Sequence, residues 1–201
     1  MSNSVHHIAN SKLQVLALLM IFTYSNLVAQ EDTKFINLKS IGGFISTGIA
    51  MYELEEGVQY QPIIIGGAVH LPFYQTKGIF NIALDLTPQV GFVPYQDGME
   101  YEFGLNFIFA FGFQVGSNSI LSINLGSGPH YITAIIDRQA SGFIFSDHFN
   151  IAYKRKINTW QLGFTVGIRH ISNAGFEEPN LGIENIGVRV SLARLFDKKK
   201  Q

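Results

Sequence analysis

A chain of 201 residues is ordinary for a single domain, yet only 14 % of it is charged, well under the roughly 25 % of soluble domains, while Phe occurs 17 times and Gly 20 times. The formal net charge of -1 supplies no long-range field for nucleic acid, and the tail Lys198-Lys199-Lys200 is too short a basic run to suggest such a partner. With no cysteine, disulfides, thiolate chemistry and cysteine metal sites are excluded.

The first segment predicts a secreted protein. Lys12 precedes the apolar run Leu13 to Phe22, interrupted only by Gln14 and followed by the polar Thr23, Ser25 and Asn26. This run is too short to span as a helix and reads as a signal peptide over residues 1–29, cleaved after Leu27-Val28-Ala29. His6 and His7 fall within it and need no metal role.

From Gln30 onward no window keeps a helical period, and strand-length runs alternate with short polar turns. The clearest is Met99 to Val115. Tyr101, Phe103, Leu105, Phe107, Phe109, Phe111, Phe113 and Val115 share one face, while Glu102, Gly104, Asn106, Ala110, Gly112 and Gln114 share the other with Ile108. Ile79 to Phe92 repeats the arrangement, with Pro88 predicting a bulge or bend. Phe35 to Tyr52, Tyr60 to Phe73, Ser119 to Tyr131, Phe143 to Lys154, Thr159 to Ser172 and Glu184 to Phe196 complete a set of about eight, the smallest usual transmembrane barrel. A soluble lipocalin-like barrel would also alternate, but the polar faces here are mostly Gly, Ala, Ser, Asn and Thr. Such faces suit a narrow filled lumen better than a water-facing exterior, so the expected fold is all-β, an eight-stranded antiparallel transmembrane barrel over residues 30–201. Its connections should alternate between short turns near residues 74–77, 116–118 and 156–158 and longer outer loops near 53–59, 94–98, 135–142 and 173–183. Trp160 and Phe196 should lie in the inner aromatic girdle.

Inward-facing His70, His130 and His148 are expected to make lumenal hydrogen bonds, since no compact spacing joins them as metal ligands. Arg169 and Arg189 are expected to pair with acids such as Asp85, Glu100 or Glu102. Asp147 falls on the apolar face of its strand without an evident reason. No cofactor or metal is implied, and the oligomeric state, including a homodimer, stays open.

The chemistry gathers in Arg169-His170-Ile171-Ser172-Asn173-Ala174-Gly175, followed by Pro179-Asn180, Gly182 and Glu184. Residues i and i+2 of a strand project to the same side, so His170 and Ser172 could lean together, and a Ser hydroxyl needs such a base to become a nucleophile. A loop bent by Gly175, Pro179 and Gly182 could return Glu184 to the other imidazole nitrogen and complete a Ser-His-Glu triad. Neighbouring Ser and His residues are commonly unreactive, however, and spacing alone leaves that alternative standing. Alternation adds that His170 and Ser172 continue the outward face of Trp160, Leu162, Phe164, Val166 and Ile168, and that Glu184 continues that of Ile186, Val188, Val190 and Leu192. Three polar groups would thus meet on the lipid-facing exterior, which is costly unless a substrate lies there.

These same residues, from His170 to Glu184, resemble the active-site segment of the PagL-type lipid A 3-O-deacylases, an acyloxyacyl-hydrolase-like outer-membrane family. The resemblance implies catalytic roles for His170, Ser172 and Glu184 and an oxyanion hole at Gly175 and Asn180. It further implies an outer-membrane esterase that removes a 3-hydroxy fatty acid from position 3 of lipid A in the outer leaflet. The rival readings are a catalytically silent structural or adhesion barrel and an outer-membrane phospholipase.

Overall fold

The computed structural model describes residues 39–52, 54, 60–76, 79–95, 98–136 and 138–196. The expected signal peptide, the start of the first strand at Phe35 and the Lys198-Lys199-Lys200 tail lie outside the described residues. Among the described residues nine strands form in chain order: β1 (Lys39–Ala50), β2 (Ile63–Gln75), β3 (Phe80–Tyr95), β4 (Gly98–Gly116), β5 (Ser119–Ser127), β6 (Pro129–Ile132), β7 (Gly142–Ile157), β8 (Trp160–Ser172) and β9 (Ile183–Phe196). Every pairing is antiparallel, and β1 pairs with β9. Because β5 and β6 both lie between β4 and β7, they occupy one position in the wall, and the sheet closes as an eight-membered ring.

Alternation builds this wall as the sequence predicts. On β4, Phe103, Phe107 and Phe109 are exposed while Glu102, Asn106, Ala110 and Gln114 are buried. The exposed set continues through Ile41, Ile45, Leu121, Ile123, Phe149, Ile151, Leu162 and Val190, which inverts the usual soluble pattern and gives a transmembrane barrel with an apolar exterior. Aromatic neighbours across strands tie that exterior together. Phe80 and Phe113 lie 5.1 Å apart between centroids, and Phe103 stacks on Tyr131 at 5.4 Å.

Inside, one end of the lumen is closed by an apolar plug of Tyr60, Val93, Ile132, Ala134, Ile136, Ile144, Ile171 and Ile183. Against it lies a polar network. Glu102 accepts from Tyr60 Oη at 2.9 Å, pairs with His130 Nδ1 at 2.6 Å and takes Arg169 Nη2 on the same oxygen. Arg169 Nε donates to Ser146 Oγ at 2.7 Å, and Ser146 Oγ lies 3.0 Å from His148 Nε2. Burial, with Glu102 beside it, pushes the Tyr60 phenol well up from its ordinary range, so it remains a donor. His70 pairs with Asp85, which also accepts from Lys154 Nζ at 3.3 Å. The lumenal histidines therefore bond as expected.

Five expectations need correction. Arg169 finds its acid, but the guanidinium of Arg189 lies over the Phe44 ring, 3.9 Å from the centroid, and closes no ion pair among the described residues. The long loop expected near 94–98 is largely taken up by strand, since β3 runs to Tyr95 and pairs there with Gly98, where β4 starts. The first strand stops at Ala50 rather than Tyr52. Pro88 does not bulge. Lacking an N–H it leaves a gap in the β2 ladder between the pairs Gly66↔Gln89 and Val69↔Leu86, but the register is kept, and the shift lies between Pro72 and Tyr74. Finally, the run expected as one strand from Ser119 to Tyr131 is divided at Gly128. There the backbone approaches Leu105 O so closely that a Cβ would sit 1.9 Å from it.

Candidate active site

Three adjacent strands bring a single row of polar residues to the outside of the barrel. Asp147 on β7 is the cross-strand partner of His170 on β8, and His170 is in turn the partner of Glu184 on β9. His170 Nδ1 lies 3.0 Å from Glu184 Oε1, with side chains 34 % and 38 % exposed, so the pair is neither buried nor fully solvated. A carboxylate at Nδ1 fixes the proton there and leaves Nε2 as the acceptor nitrogen. Ser172 follows on the same outward side, separated by Ile171, which is fully buried in the plug. Among the described residues no hydrogen bond joins Ser172 Oγ to His170; catalytic bonds of this kind often tighten only when substrate is present.

The loop between Ser172 and Ile183 is shaped by left-handed residues, Ala174 at φ 56°, Gly175 at 82° and Gly182 at 71°. Gly182 is required by close approach as well as by φ, since a Cβ there would fall 2.5 Å from His170 Cε1. Asn173 organises the loop from within. Its Nδ2 donates to Glu177 O at 2.6 Å, its Oδ1 accepts from Gly175 N at 3.0 Å, and its own N–H donates to Asn180 Oδ1 at 2.8 Å. The Asn180 N–H donates to Glu178 Oε2 at 3.2 Å. The two residues expected to form an oxyanion hole, Gly175 and Asn180, are thus held in one loop, but both of their N–H groups have partners within it.

Several residues that sequence reasoning did not single out support this site. The chain between β6 and β7 clasps the loop: Leu181 N donates to Arg138 O at 2.9 Å, Ala140 N donates to Pro179 O at 2.8 Å, and Gln139 bridges to Asn180. Tyr52, just beyond β1, takes the Glu184 N–H on its hydroxyl at 2.8 Å and donates to Glu184 Oε2. Arg138 stacks on the Tyr52 ring with Cζ 4.5 Å from its centroid. Ring closure was the signal that could have found Tyr52, because pairing β1 with β9 sets Ala50 opposite Asn185, one residue past Glu184. Beside Ser172, its cross-strand partner Phe145 packs edge-on against Phe143, which also meets Phe176 of the loop. Among the described residues no group of three or more His, Asp or Glu side chains is arranged to hold a metal ion.

A serine, an imidazole and a carboxylate on an apolar exterior suit hydrolysis of an ester presented by a lipid. Among solved structures, that of the outer membrane enzyme PagL matches with TM-score 0.57 and 18 % identity, covering 74 % of this chain and 97 % of the other. The structure of Neisserial surface protein A (NspA) matches with TM-score 0.51 and 9 % identity, covering 79 % and 97 %. At such identities these likenesses speak for the barrel fold alone. Comparison with curated proteins gives no match. The sequence model for lipid A 3-O-deacylase (PagL) matches residues 63–193, well over half of the chain and spanning every strand from β2 to β8 and most of β9. This chain belongs to the lipid A 3-O-deacylase (PagL) family.

Proposed function

We propose that the protein is an outer-membrane esterase that removes the ester-linked 3-hydroxy fatty acid from position 3 of lipid A, using Ser172 as nucleophile, His170 as base and Glu184 as its orienting carboxylate. The observation that carries this reading is the 3.0 Å contact from His170 Nδ1 to Glu184 Oε1 on the lipid-facing side of the barrel, two residues from Ser172. A silent structural barrel would have no use for a histidine, a carboxylate and a serine in its apolar exterior, where polar groups are costly. A signal peptide over residues 1–29 would direct the chain to the envelope, and the loop at residues 173–182 would face the outer leaflet.

In the proposed reaction His170 Nε2 takes the Ser172 hydroxyl proton as Oγ attacks the ester carbonyl. Glu184 stabilises the imidazolium without itself becoming protonated. Collapse of the tetrahedral intermediate expels the sugar hydroxyl, which receives the proton from His170, and the acyl group remains on Ser172. Water, activated by the same nitrogen, then releases the fatty acid and restores the serine. Gly175 and Asn180 would stabilise the oxyanion. For Gly175 this requires its N–H to exchange Asn173 Oδ1 for the substrate oxygen, and a donor lost at such a site costs about 3–4 kcal/mol. Mass spectrometry of lipid A from cells making wild type or Ser172→Ala tests the proposal. Wild type should remove one hydroxy fatty acid and Ser172→Ala none; a fully deacylating variant would end the hypothesis. Release of fatty acid from phospholipid with lipid A intact would instead identify a phospholipase.

A further inference from the structure

The carboxylate of Glu184 is held at both oxygens, and only one of its partners belongs to the proposed triad. Oε1 faces His170 Nδ1 at 3.0 Å, while Oε2 accepts from the Tyr52 hydroxyl. Tyr52 Oη also receives the backbone N–H of Glu184 at 2.8 Å, so one hydroxyl engages the backbone and the side chain of the same residue. One residue earlier, Met51 N donates to Glu184 O at 2.8 Å. The segment leaving β1 therefore grips Glu184 at its N–H, its C=O and its carboxylate.

A tyrosine that merely anchored a loop would need no carboxylate, because Gly182 O also lies 3.2 Å from Tyr52 Oη. That carbonyl already takes Arg138 Nε at 3.3 Å, and the Arg138 guanidinium packs on the Tyr52 ring. The single Tyr52 proton lies within reach of both acceptors, and the charged carboxylate is the stronger of the two. This matters because the terminal torsion of a glutamate is soft and this side chain is 38 % exposed. Water can compete for an oxygen left unheld, and rotation would swing Oε1 away from His170.

We infer that Tyr52 is a positioning residue for the proposed hydrolysis, locking the Glu184 carboxylate so that it presents Oε1 to His170 throughout turnover. This rests on the triad reading given above. In this role Tyr52 acts through Glu184, to which its hydroxyl is bonded, and that sets how it is tested. In detergent-solubilised, folded barrel assayed on lipid A, Tyr52→Phe should lower kcat about tenfold and leave KM within about twofold, since a misdirected carboxylate weakens the transition state rather than lipid binding. Combined with Glu184→Ala, the same change should cost less than about twofold, because the group it positions is gone. The heat-dependent gel shift of the intact barrel verifies folding of each variant, and Arg138→Met, which removes the stacked cation, should show a smaller kcat loss in the same direction. Wild-type kcat in Tyr52→Phe, a loss confined to KM, or an undiminished loss in the Glu184→Ala background would each overturn the inference. Ser172→Ala assayed alongside keeps the two readings apart. If it retains activity the triad itself falls, whereas an inactive Ser172→Ala with an unimpaired Tyr52→Phe removes only the role given to Tyr52.

Discussion

Gly182→Ala isolates the placement of the histidine from the stability of the barrel. An ideal Cβ at this position lies 2.5 Å from His170 Cε1, 3.1 Å from Nε2 and 3.1 Å from Ile171 O. Ordinary carbon contacts are about 3.5–4.0 Å, so the ring must retreat by about 1 Å or more. Because His170 is 34 % exposed it can yield outward, and the barrel survives. The backbone adds a modest term, since φ of 71° costs an alanine about 1–2 kcal/mol. Chemistry is less forgiving than folding, as a displacement of about 1 Å can lower a rate about 100-fold. The expected outcome is a folded variant, shown by its unboiled gel mobility, that deacylates lipid A about 100 times more slowly. Gly142→Ala is the control. It also has positive φ, 103°, but a Cβ there meets nothing within 4 Å, so it should carry the backbone cost without the loss of rate. A folded Gly182→Ala that turns over like wild type would refute the claim that this imidazole position matters to the reaction.

Asp147 and Glu184 flank His170 from opposite strands, but the ion pair forms with Glu184 alone; Glu184→Ala should therefore cost on the order of 100-fold or more in kcat and Asp147→Ala less than about threefold, and a reversed order in the deacylation assay would reassign the orienting carboxylate. Arg169→Met leaves Glu102 buried without its guanidinium, an uncompensated charge worth about 3–5 kcal/mol, and should lower the denaturant midpoint of the gel-shift transition; an unchanged midpoint would mean that His130 and Tyr60 suffice. Gly128→Val places a Cβ 1.9 Å from a backbone oxygen that cannot step aside, so it should abolish the folded gel species, whereas Gly98→Ala, with nothing within 4 Å, should fold normally.

What could be read from the sequence follows from how far each signal reaches. Alternation is local, so the outward Phe ladder of β4 and the outward placement of His170, Ser172 and Glu184 could be counted along single strands. The pairing of His170 with Glu184 was accessible too, because a hairpin with one loop between its arms leaves few registers. Tyr52 was not, since it reaches Glu184 only through closure of the ring, across 132 positions of chain. Asp147 looked misplaced because its strand was read alone, and its position opposite His170 emerges only from the β7–β8 register. The division at Gly128 escaped for a similar reason, as alternation continues through it and only the approach of Leu105 on a neighbouring strand reveals the break. Pro88 misled in the opposite direction. A missing N–H was read as a bulge, whereas a closed wall can forgo ladder bonds locally while the strands on either side hold the register.

The two faces of β8 divide the work of the proposed site. Ile171 and Arg169 point inward, the first into the apolar plug with Ile183 and the second onto Glu102 and Ser146, and these contacts fix the backbone from which His170 and Ser172 project outward. The polar lumen is therefore the support on which the exterior row depends. Phe176 and Leu181, 73 % and 65 % exposed, stand in the loop beyond the row, and Phe149 and Ile168, also exposed, stand on the strands below it. The polar patch is framed by apolar side chains above and below, so a lipid could be held there by its chains while its ester meets the serine. An enzyme that drew substrate from water would gain nothing from this frame.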